Sequence, residues 1–463
     1  MQSRQPEVAA QHDERRLLLV SYHFPPDRAV GAKRWAMLSK FALERGWGVD
    51  VFACGAAEAT MRSDAVPDGV RVFWSPLPIL RAERIENAVW KLLRPARPAA
   101  DTTLPAPSPK PTPALQASSI ARPDVRWSLH TPRGWMRTYW SALDFSRISA
   151  WGDQVEQDAA TVFRPGVHRV VISSGPPFMS HDVGRRISQR LGIPFVMDMR
   201  DPWSHVERLA ESIASPAWVH LAKRYEARAV RAATLIVTNT DVARKQMAAT
   251  YPTRAPDVVT VMNGADDELL PPPRQSARFV VAHAGTIYLD RDPRALFVAA
   301  GRLIRELSLS PDDFGLEFIG ELEAVGGFPI EQTARAEGIG SFVHTGPSRS
   351  HAGALEFMAE ATMLLTMSGT NMAAIPAKTF ECIRFQAWVL ALSEPGSATD
   401  ALLNGSGADV ASPTDIDGIL EILRNRFLQH RAGVLPDPIA RDERLSRRYQ
   451  AGVFFEALEA RVK

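Results

Sequence analysis

Short apolar runs alternate with longer amphipathic stretches along most of this chain. Leu17 to Ser21 is an apolar run soon stopped by Pro25-Pro26, which suits a parallel strand buried on both faces. Gly31 then opens the stretch AKRWAMLSKFALERG, with Trp35, Leu38, Phe41 and Ala42 at helical spacing and Gly46 as its stop. A second run begins at Val49, so strand, glycine turn, helix and strand form a βαβ unit. The alternation resumes at 168–174 (HRVVISS), with a helix over 181–192 and a strand over 194–200. A helical region at 215–233 leads to strands at 234–239 and 257–263. After Pro271-Pro272-Pro273 the scheme repeats, with strands at 279–285, 315–321, 342–346, 362–367 and 387–393. The pattern predicts an α/β protein with two Rossmann-like lobes, 15–272 and 273–440, each around a parallel sheet. A last amphipathic helix at 441–463 is expected to return to the first lobe, and residues 1–14 read as a disordered tail.

Between about residues 80 and 150 the pattern breaks, which reads as an insertion with a Pro-rich loop at 95–125. Seven prolines fall in 95–113 and cannot build a packed core. Across 81–140 there are ten Lys/Arg against four Asp/Glu, with Trp90, Trp127, Trp135, Tyr139 and Trp140 interleaved. This mixture suits an anionic membrane surface, and it equally suits a solvated insertion whose tryptophans pack back onto the lobe.

Composition narrows the function classes. A chain of 463 residues exceeds one hydrophobic core, and 45% apolar with 23% charged residues is ordinary for a soluble protein. The net charge of +2 gives no whole-protein case for nucleic acid. Cys54 and Cys382 stand far apart without CxxC or Cys/His company, which argues against structural zinc and a disulfide framework. No apolar run is long enough to span a bilayer, and the first residues have no apolar core of a secretory signal. A cytoplasmic protein is expected, peripheral on the inner membrane face if 81–140 engages lipid.

Neither lobe opens with G-x-G-x-x-G, and there is no P-loop, H-E-x-x-H or G-x-S-x-G, so dinucleotide dehydrogenases, P-loop NTPases, zincins and nucleophile-elbow hydrolases are disfavoured. Glycine turns after strands, at Gly31, Gly175 and Gly285-Thr286, are places where bare N–H groups can meet phosphate. Asp290-Arg291-Asp292 has the spacing of a metal-binding acid pair, but Pro293 follows it, so Asp292 reads better as a helix cap and no metal is expected. Lys378, Glu381 and Arg384 recur at three-residue spacing in IPAKTFECIRFQ and share one helical face. They read either as a surface salt bridge or as a diphosphate contact (Lys378) beside a ribose contact (Glu381).

These motifs, in this order, resemble those of family 4 glycosyltransferases of the GT-B fold, over roughly 16–460 apart from the insertion. The resemblance rests on YHFPPDRAVGAKRWAMLSKFALERGWGVDVFAC (22–54), SSGPPFMSH (173–181), GIPFVMDMRDPW (192–203), VTNTDVARKQM, VMNGADDE, HAGTIYLDRDPRAL and IPAKTFECI. The segments at 173–203 are similar to a bacterial branch acting in surface polysaccharide synthesis. The resemblance implies two lobes facing across a cleft and transfer of a sugar, with retention, from a nucleotide-sugar donor to a glycan or lipid-linked acceptor, without cofactor. It implies donor contacts from Gly285, Thr286, Arg291, Lys378 and Glu381, catalytic roles for His181, Arg291 and Lys378, and an acceptor-side surface of Gly31, Arg34, Ser174 and Gly175. It places Asn263-Gly264 at a hinge. His181 reads equally as a buried or capping residue. The family often carries a glutamate eight positions before Glu381, where this chain has Ala373, and Val30-Gly31 stands for the usual glycine pair. A sugar-nucleotide epimerase of the same fold and a non-catalytic nucleotide-sugar-binding protein are the alternatives.

Overall fold

The computed structural model describes residues 15–27, 29–55, 66–85, 120–121, 132–206, 209–210, 212–274, 276–287, 291–322, 329–369 and 371–462. The tail at 1–14, Trp90, Trp127, Asp290 and all but two residues of the Pro-rich 95–125 lie outside them. The chain divides into two compact units, Met1–Ile236 with Leu458–Lys463, and Val237–Ala457.

In the first half β1 (Arg16–Ser21) leads to α1 (Val30–Glu44), β2 (Gly48–Cys54), β3 (Val70–Ser75), the short β4 (Ile120–Ala121) and α2 (Pro132–Val162). Then come β5 (His168–Ser174), α3 (Ser180–Leu191), β6 (Phe195–Arg200), the short β7 (Leu209–Ala210), α4 (Pro216–Ala232), β8 (Leu235–Thr238), α5 (Asp241–Thr250) and β9 (Val258–Thr260). Seven of these strands form a sheet in the order β3-β2-β1-β5-β6-β8-β9, while β4 and β7 pair separately and antiparallel. β1 pairs in parallel with β2 on one side, Leu17 beside Val49, and with β5 on the other, Leu19 beside Ile172. The unbroken apolar run of β1 follows from this, because both its faces are covered and every residue in it is buried.

One charge is carried into that core. Asp50 on β2, fully buried, accepts both nitrogens of Arg16 at 3.0 and 2.7 Å, Arg71 at 2.5 Å, and His168 Nε2 at 2.9 Å. Burial alone would raise its carboxyl pKa, but the bonds from His168, Arg71 and Arg16 outweigh it and hold the group well below the carboxylate range.

The structure departs from the sequence pattern around residue 140. A helix of 31 residues runs through the second half of the expected insertion, as far as Val162. Leu143, Ile148, Trp151, Val155 and Ala159 make its buried stripe, and Trp151 Nε1 donates to Ser75 O at 3.1 Å. The aromatic residues crowded at its amino end blur that period in the sequence.

The second half runs β10 (Phe279–Ala284), α6 (Arg294–Leu307), β11 (Phe314–Ile319), α7 (Ile330–Ala336), β12 (Val343–Gly346), α8 (His351–Ala359) and β13 (Met363–Gly369). It continues with α9 (Ala377–Cys382), β14 (Trp388–Ser393), α10 (Ala398–Leu403), β15 (Asp409–Ala411), α11 (Ile416–Arg431) and α12 (Arg447–Glu459). Its six-stranded sheet has the order β12-β11-β10-β13-β14-β15, parallel at every pairing. Phe279, Phe297, Phe314, Leu365, Leu390 and Phe427 fill one face of it. The final helix starts later than the sequence suggests, because Asp442 caps a short 3-10 turn at Glu443–Leu445 first.

Strand order reverses once in each sheet, between β1 and β5 in the first and between β10 and β13 in the second. Neighbouring crossovers leave in opposite directions there, so the loops after those strands part and leave a crevice at the carboxyl ends. Gly175 and Gly285, in loops, and Gly31 and Lys378, each at the start of a helix, all come after one of these four strands.

Candidate functional site

In the second unit, Gly285 N–H is held by Ile319 O at 2.9 Å, so the loop leaves β10 alongside β11. A Cβ built on Gly285 would lie 3.4 Å from His283 Nε2 and 3.7 Å from Lys378 Cγ, which shows how closely these side chains frame the loop. Arg291 Nη1 reaches back to donate to Thr286 O at 3.3 Å. Lys378 Nζ donates to Glu381 Oε2 at 2.6 Å, with the Lys378 side chain 32% exposed and Glu381 only 11%. The short helix carrying them is pinned to β13 by Thr379 Oγ1 and Thr366 Oγ1, 2.8 Å apart. The structure therefore joins Gly285, Thr286, Arg291, Lys378 and Glu381 in one cluster, and Lys378 and Glu381 do form the i,i+3 pair that their spacing allows. Arg384 lies beyond that helix and turns to Glu268.

His283 belongs to this cluster and was missed in the sequence reading. Its signal was a lone imidazole in the otherwise apolar strand FVVAHA. Its Nδ1 lies 2.9 Å from Leu365 O, an acceptor, so the proton sits on Nδ1 and Nε2 presents a lone pair. Among the described residues that Nε2 has no partner. Burial lowers the His283 pKa to about 4, and the nearby charges of Arg291 and Lys378 add to the shift against the bond to Leu365. At neutral pH the cluster holds two cations, one carboxylate and a neutral imidazole. A net positive pocket at a strand-order reversal fits a diphosphate better than a cation.

Asp292 Oδ1 accepts from Arg294 N at 2.9 Å, immediately before α6, whose cap position is Pro293. No group of three or more His, Cys, Asp or Glu suited to a metal occurs among the described residues. Ala373, the departure from the family pattern, offers a methyl group, and its carbonyl accepts from Thr240 Oγ1 at 2.5 Å. Gly264 adopts φ of +70°, and a Cβ there would stand 2.8 Å from Arg447 N. A cavity of about 430 Å³ lies at the opposite edge of this sheet, where Thr362 and Trp388 begin their strands, and shares none of the cluster's residues.

In the first unit, Arg34 is buried and its guanidinium grips Asp198 on β6 at 3.1 and 3.0 Å. Trp35 Nε1 donates to the same carboxylate at 2.8 Å, and Ser174 Oγ at 3.4 Å. His181 is fully buried at the start of α3, with Nδ1 2.8 Å from Ser173 Oγ. Its Nε2 faces Gly175, where a Cβ would come within 2.5 Å of it. Burial lowers the His181 pKa to about 3, Asp198 opposing and Arg200 adding, so the ring is neutral at physiological pH. Arg200, also missed in the sequence, stands over Gly31. Its signal was a charge closing the strand PFVMDMR.

No protein-family model matches this chain, and no curated protein matches it in sequence. Solved structures do. HepE from Anabaena, in complex with UDP, superposes with a TM-score of 0.61 at 12% identity, covering 96% of this chain and 100% of that one. The lipopolysaccharide outer core galactosyltransferase WaaB gives 0.56 at 12% identity, with 96% and 100% covered. A 2-epimerase for UDP-N-acetylglucosamine from Listeria monocytogenes, so named provisionally, gives 0.52 at 9% identity, with 96% of each covered. The fold is GT-B. Identities this low speak for architecture, and the GT-B scaffold hosts transferases and an epimerase alike.

Proposed function

We propose that this GT-B protein is a glycosyltransferase that moves a sugar, with retention, from a nucleotide-sugar donor to a glycan or lipid-linked acceptor in polysaccharide or glycoconjugate synthesis. The observation that carries the reading is the cluster of Arg291, Lys378, Glu381 and neutral His283 around Gly285-Thr286. HepE, of the same fold, was solved with UDP, and WaaB is named a galactosyltransferase. In this reading the second unit holds the donor and the first presents the acceptor.

As the bond from the anomeric carbon to the diphosphate breaks, the diphosphate leaves with the electron pair and gains charge. Arg291, Lys378 and the loop N–H groups meet that charge, a preorganised electrostatic contribution of several kcal/mol by order of magnitude. No metal is then needed for it, so turnover in EDTA should match turnover without it. Glu381 accepts from the ribose hydroxyls. The acceptor hydroxyl attacks the face the diphosphate leaves, and its proton passes to a diphosphate oxygen, which gives retention. Neutral His181, set against Gly175, serves as a hydrogen-bond partner for the transferred sugar.

On α2, Trp135, Met136 and Tyr139 are exposed, Trp135 at 68%, with Arg137 among them. We read this end of the helix as a contact with the anionic inner face of a membrane, which would put the enzyme beside a lipid-linked acceptor. No helix among the described residues is long and apolar enough to cross a membrane. Cosedimentation with vesicles containing anionic lipid tests this contact, and binding no stronger than to neutral vesicles contradicts it.

Ala373 favours a second reading, a nucleotide-sugar-binding protein without turnover, since its methyl group offers nothing polar to a sugar. A thermal-shift panel of nucleotide sugars followed by donor turnover separates the readings. Stabilisation with turnover that requires an acceptor supports the transferase, turnover without acceptor supports an epimerase, and binding alone supports the silent binder.

A further inference from the structure

Helices α3 and α4 of the first unit pack on each other and together carry seven Lys/Arg against two acids, Asp182 and Glu226. Glu226 is buried and accepts from Ser204, at 2.8 Å from its N–H and 2.5 Å from its hydroxyl. Asp182 takes two bonds from Arg185, at 2.9 and 2.7 Å. Arg186 and Arg190 turn to α2, to Asp153 at 2.6 Å and Glu156 at 3.4 Å. Both acids are thus spent, and α4 keeps a surplus of positive charge.

Part of that surplus converges on a hollow of about 380 Å³ lined by Arg185, Gln189, Arg228, Arg231 and Ala232. Tyr225, Arg228 and Arg231 follow at three-residue spacing and share one stripe of α4. The Arg228 guanidinium lies over the Tyr225 ring, 5.6 Å from its centre, a contact that holds the cation and uses none of its N–H groups. Among the described residues, neither Arg228 nor Arg231 makes a side-chain hydrogen bond or ion pair. Arg185 Nη1 donates to Gln189 Oε1 at 2.6 Å, so what the Gln189 amide has left to offer is its N–H groups. The negative end of the α4 dipole offsets part of the charge of Arg231, in the last turn, but Arg228 comes before that turn. The two like charges repel each other, and no acid lines the hollow to relieve them. A concave site walled by unspent donors, one of them a planar fork fixed by stacking, matches an oxyanion.

We propose that Arg228 and Arg231, with Gln189, bind a phosphoryl group in this hollow. The site does not rest on the transferase reading, and it shares no residue with the donor cluster or with Gly31, Arg34, Ser174 and Gly175. The ligand chemistry is a phosphate monoester, offered either by a phospholipid headgroup such as that of phosphatidic acid or by a soluble phosphorylated metabolite.

The test is inorganic phosphate binding to the full chain, followed by phosphorus-31 line broadening in a K378A background that weakens the donor cluster's own hold on the anion. Affinity should fall about tenfold in R228Q and in R231Q, each of which removes a charged donor. R228K keeps the charge but not the planar fork, and should retain only part of the binding. K223Q removes an exposed charge of the same helix outside the hollow, and should change affinity less than about twofold. Arg231 is exposed and Arg228 half-buried, so both variants should fold, with circular dichroism as the check. Unchanged affinity in a folded R228Q or R231Q, or an equal loss in K223Q, overturns the proposal. Nucleotide-sugar binding in R228Q/R231Q, with Lys378 intact, should match wild type, so this site and the transferase reading fail separately. Competition by glycerol 3-phosphate, and cosedimentation with phosphatidylcholine vesicles containing phosphatidic acid, separate the two sources. Vesicle binding lost in R228Q/R231Q marks a headgroup. Displacement of phosphate by glycerol 3-phosphate, with vesicle binding equal in wild type and R228Q/R231Q, marks a soluble ester. Failure of both ligands overturns the proposal.

Discussion

Replacing Lys378 with methionine keeps most of the side-chain volume and removes one charge from the proposed donor cluster. A charge-assisted hydrogen bond to a phosphate is worth about 1.5–3 kcal/mol when desolvated. The Lys378 side chain is 32% exposed, so solvent screening puts the direct loss toward the lower end of that range. The substitution also takes from Glu381, 11% exposed, the 2.6 Å bond from Lys378, and the carboxylate, losing that nearby cation, repels an incoming diphosphate more strongly. Together these set the expected loss at about 2 kcal/mol, or roughly thirtyfold in Kd. The assay is calorimetric titration of wild type and K378M with the nucleoside diphosphate that binds best among UDP, GDP, ADP and TDP, and with the matching nucleoside. The diphosphate should lose about thirtyfold while the nucleoside, which has no phosphate, changes less than threefold. Equal losses for both ligands, or none for the diphosphate, would refute the placement of Lys378 at the diphosphate.

D198A takes from the buried Arg34 and Trp35 the carboxylate they share, and should cost about 3–5 kcal/mol in urea denaturation; an unchanged midpoint contradicts the structural role assigned to that pair. His283 has a folded pKa of about 4, below the ordinary 6.5, so the unfolded chain binds the extra proton between those values and stability falls as pH drops through that window. Between pH 7 and 5 this amounts to about 2 kcal/mol, and H283Q should show a correspondingly smaller loss in urea midpoints taken at the two pH values. Asp50 acts in the same sense at lower pH, since its folded pKa is also depressed. Its stabilising contribution is present above about pH 4 and is lost as pH falls further, so acid unfolding of D50N should be shallower. In G264A a Cβ would meet the Arg447 backbone at a φ of +70°, and thermal denaturation should show a loss of about 1–3 kcal/mol.

The two parallel sheets were legible because strands buried on both faces leave unbroken apolar runs such as LLLV and FVVA, and a glycine turn follows each key strand. The long helix α2 was hidden because Trp135, Tyr139 and Trp140 put apolar residues on its solvent side as well as its buried one. For the site, Lys378 and Glu381 were readable from helical spacing, but spacing alone left them a surface pair as readily as a ligand contact. Placement beside Gly285 and His283 is a fact of tertiary packing, reached across strands distant in sequence. Asp198 and Arg200, which share β6, and His283 in β10 showed only as ionisable residues in otherwise apolar strands. The partners that give them meaning, such as Arg34 for Asp198 and Leu365 O for His283, lie far away along the chain.

The central claim is that the Gly285, Arg291, Lys378 and Glu381 cluster captures a nucleoside diphosphate sugar for transfer. Turnover of the nucleotide sugar that most stabilises the full chain, measured with a glycan or lipid-linked acceptor in wild type and in a folded K378A/E381A variant, tests it most directly. The account predicts acceptor-dependent release of nucleoside diphosphate by wild type and its loss in the double variant; wild-type rates in that variant would contradict it.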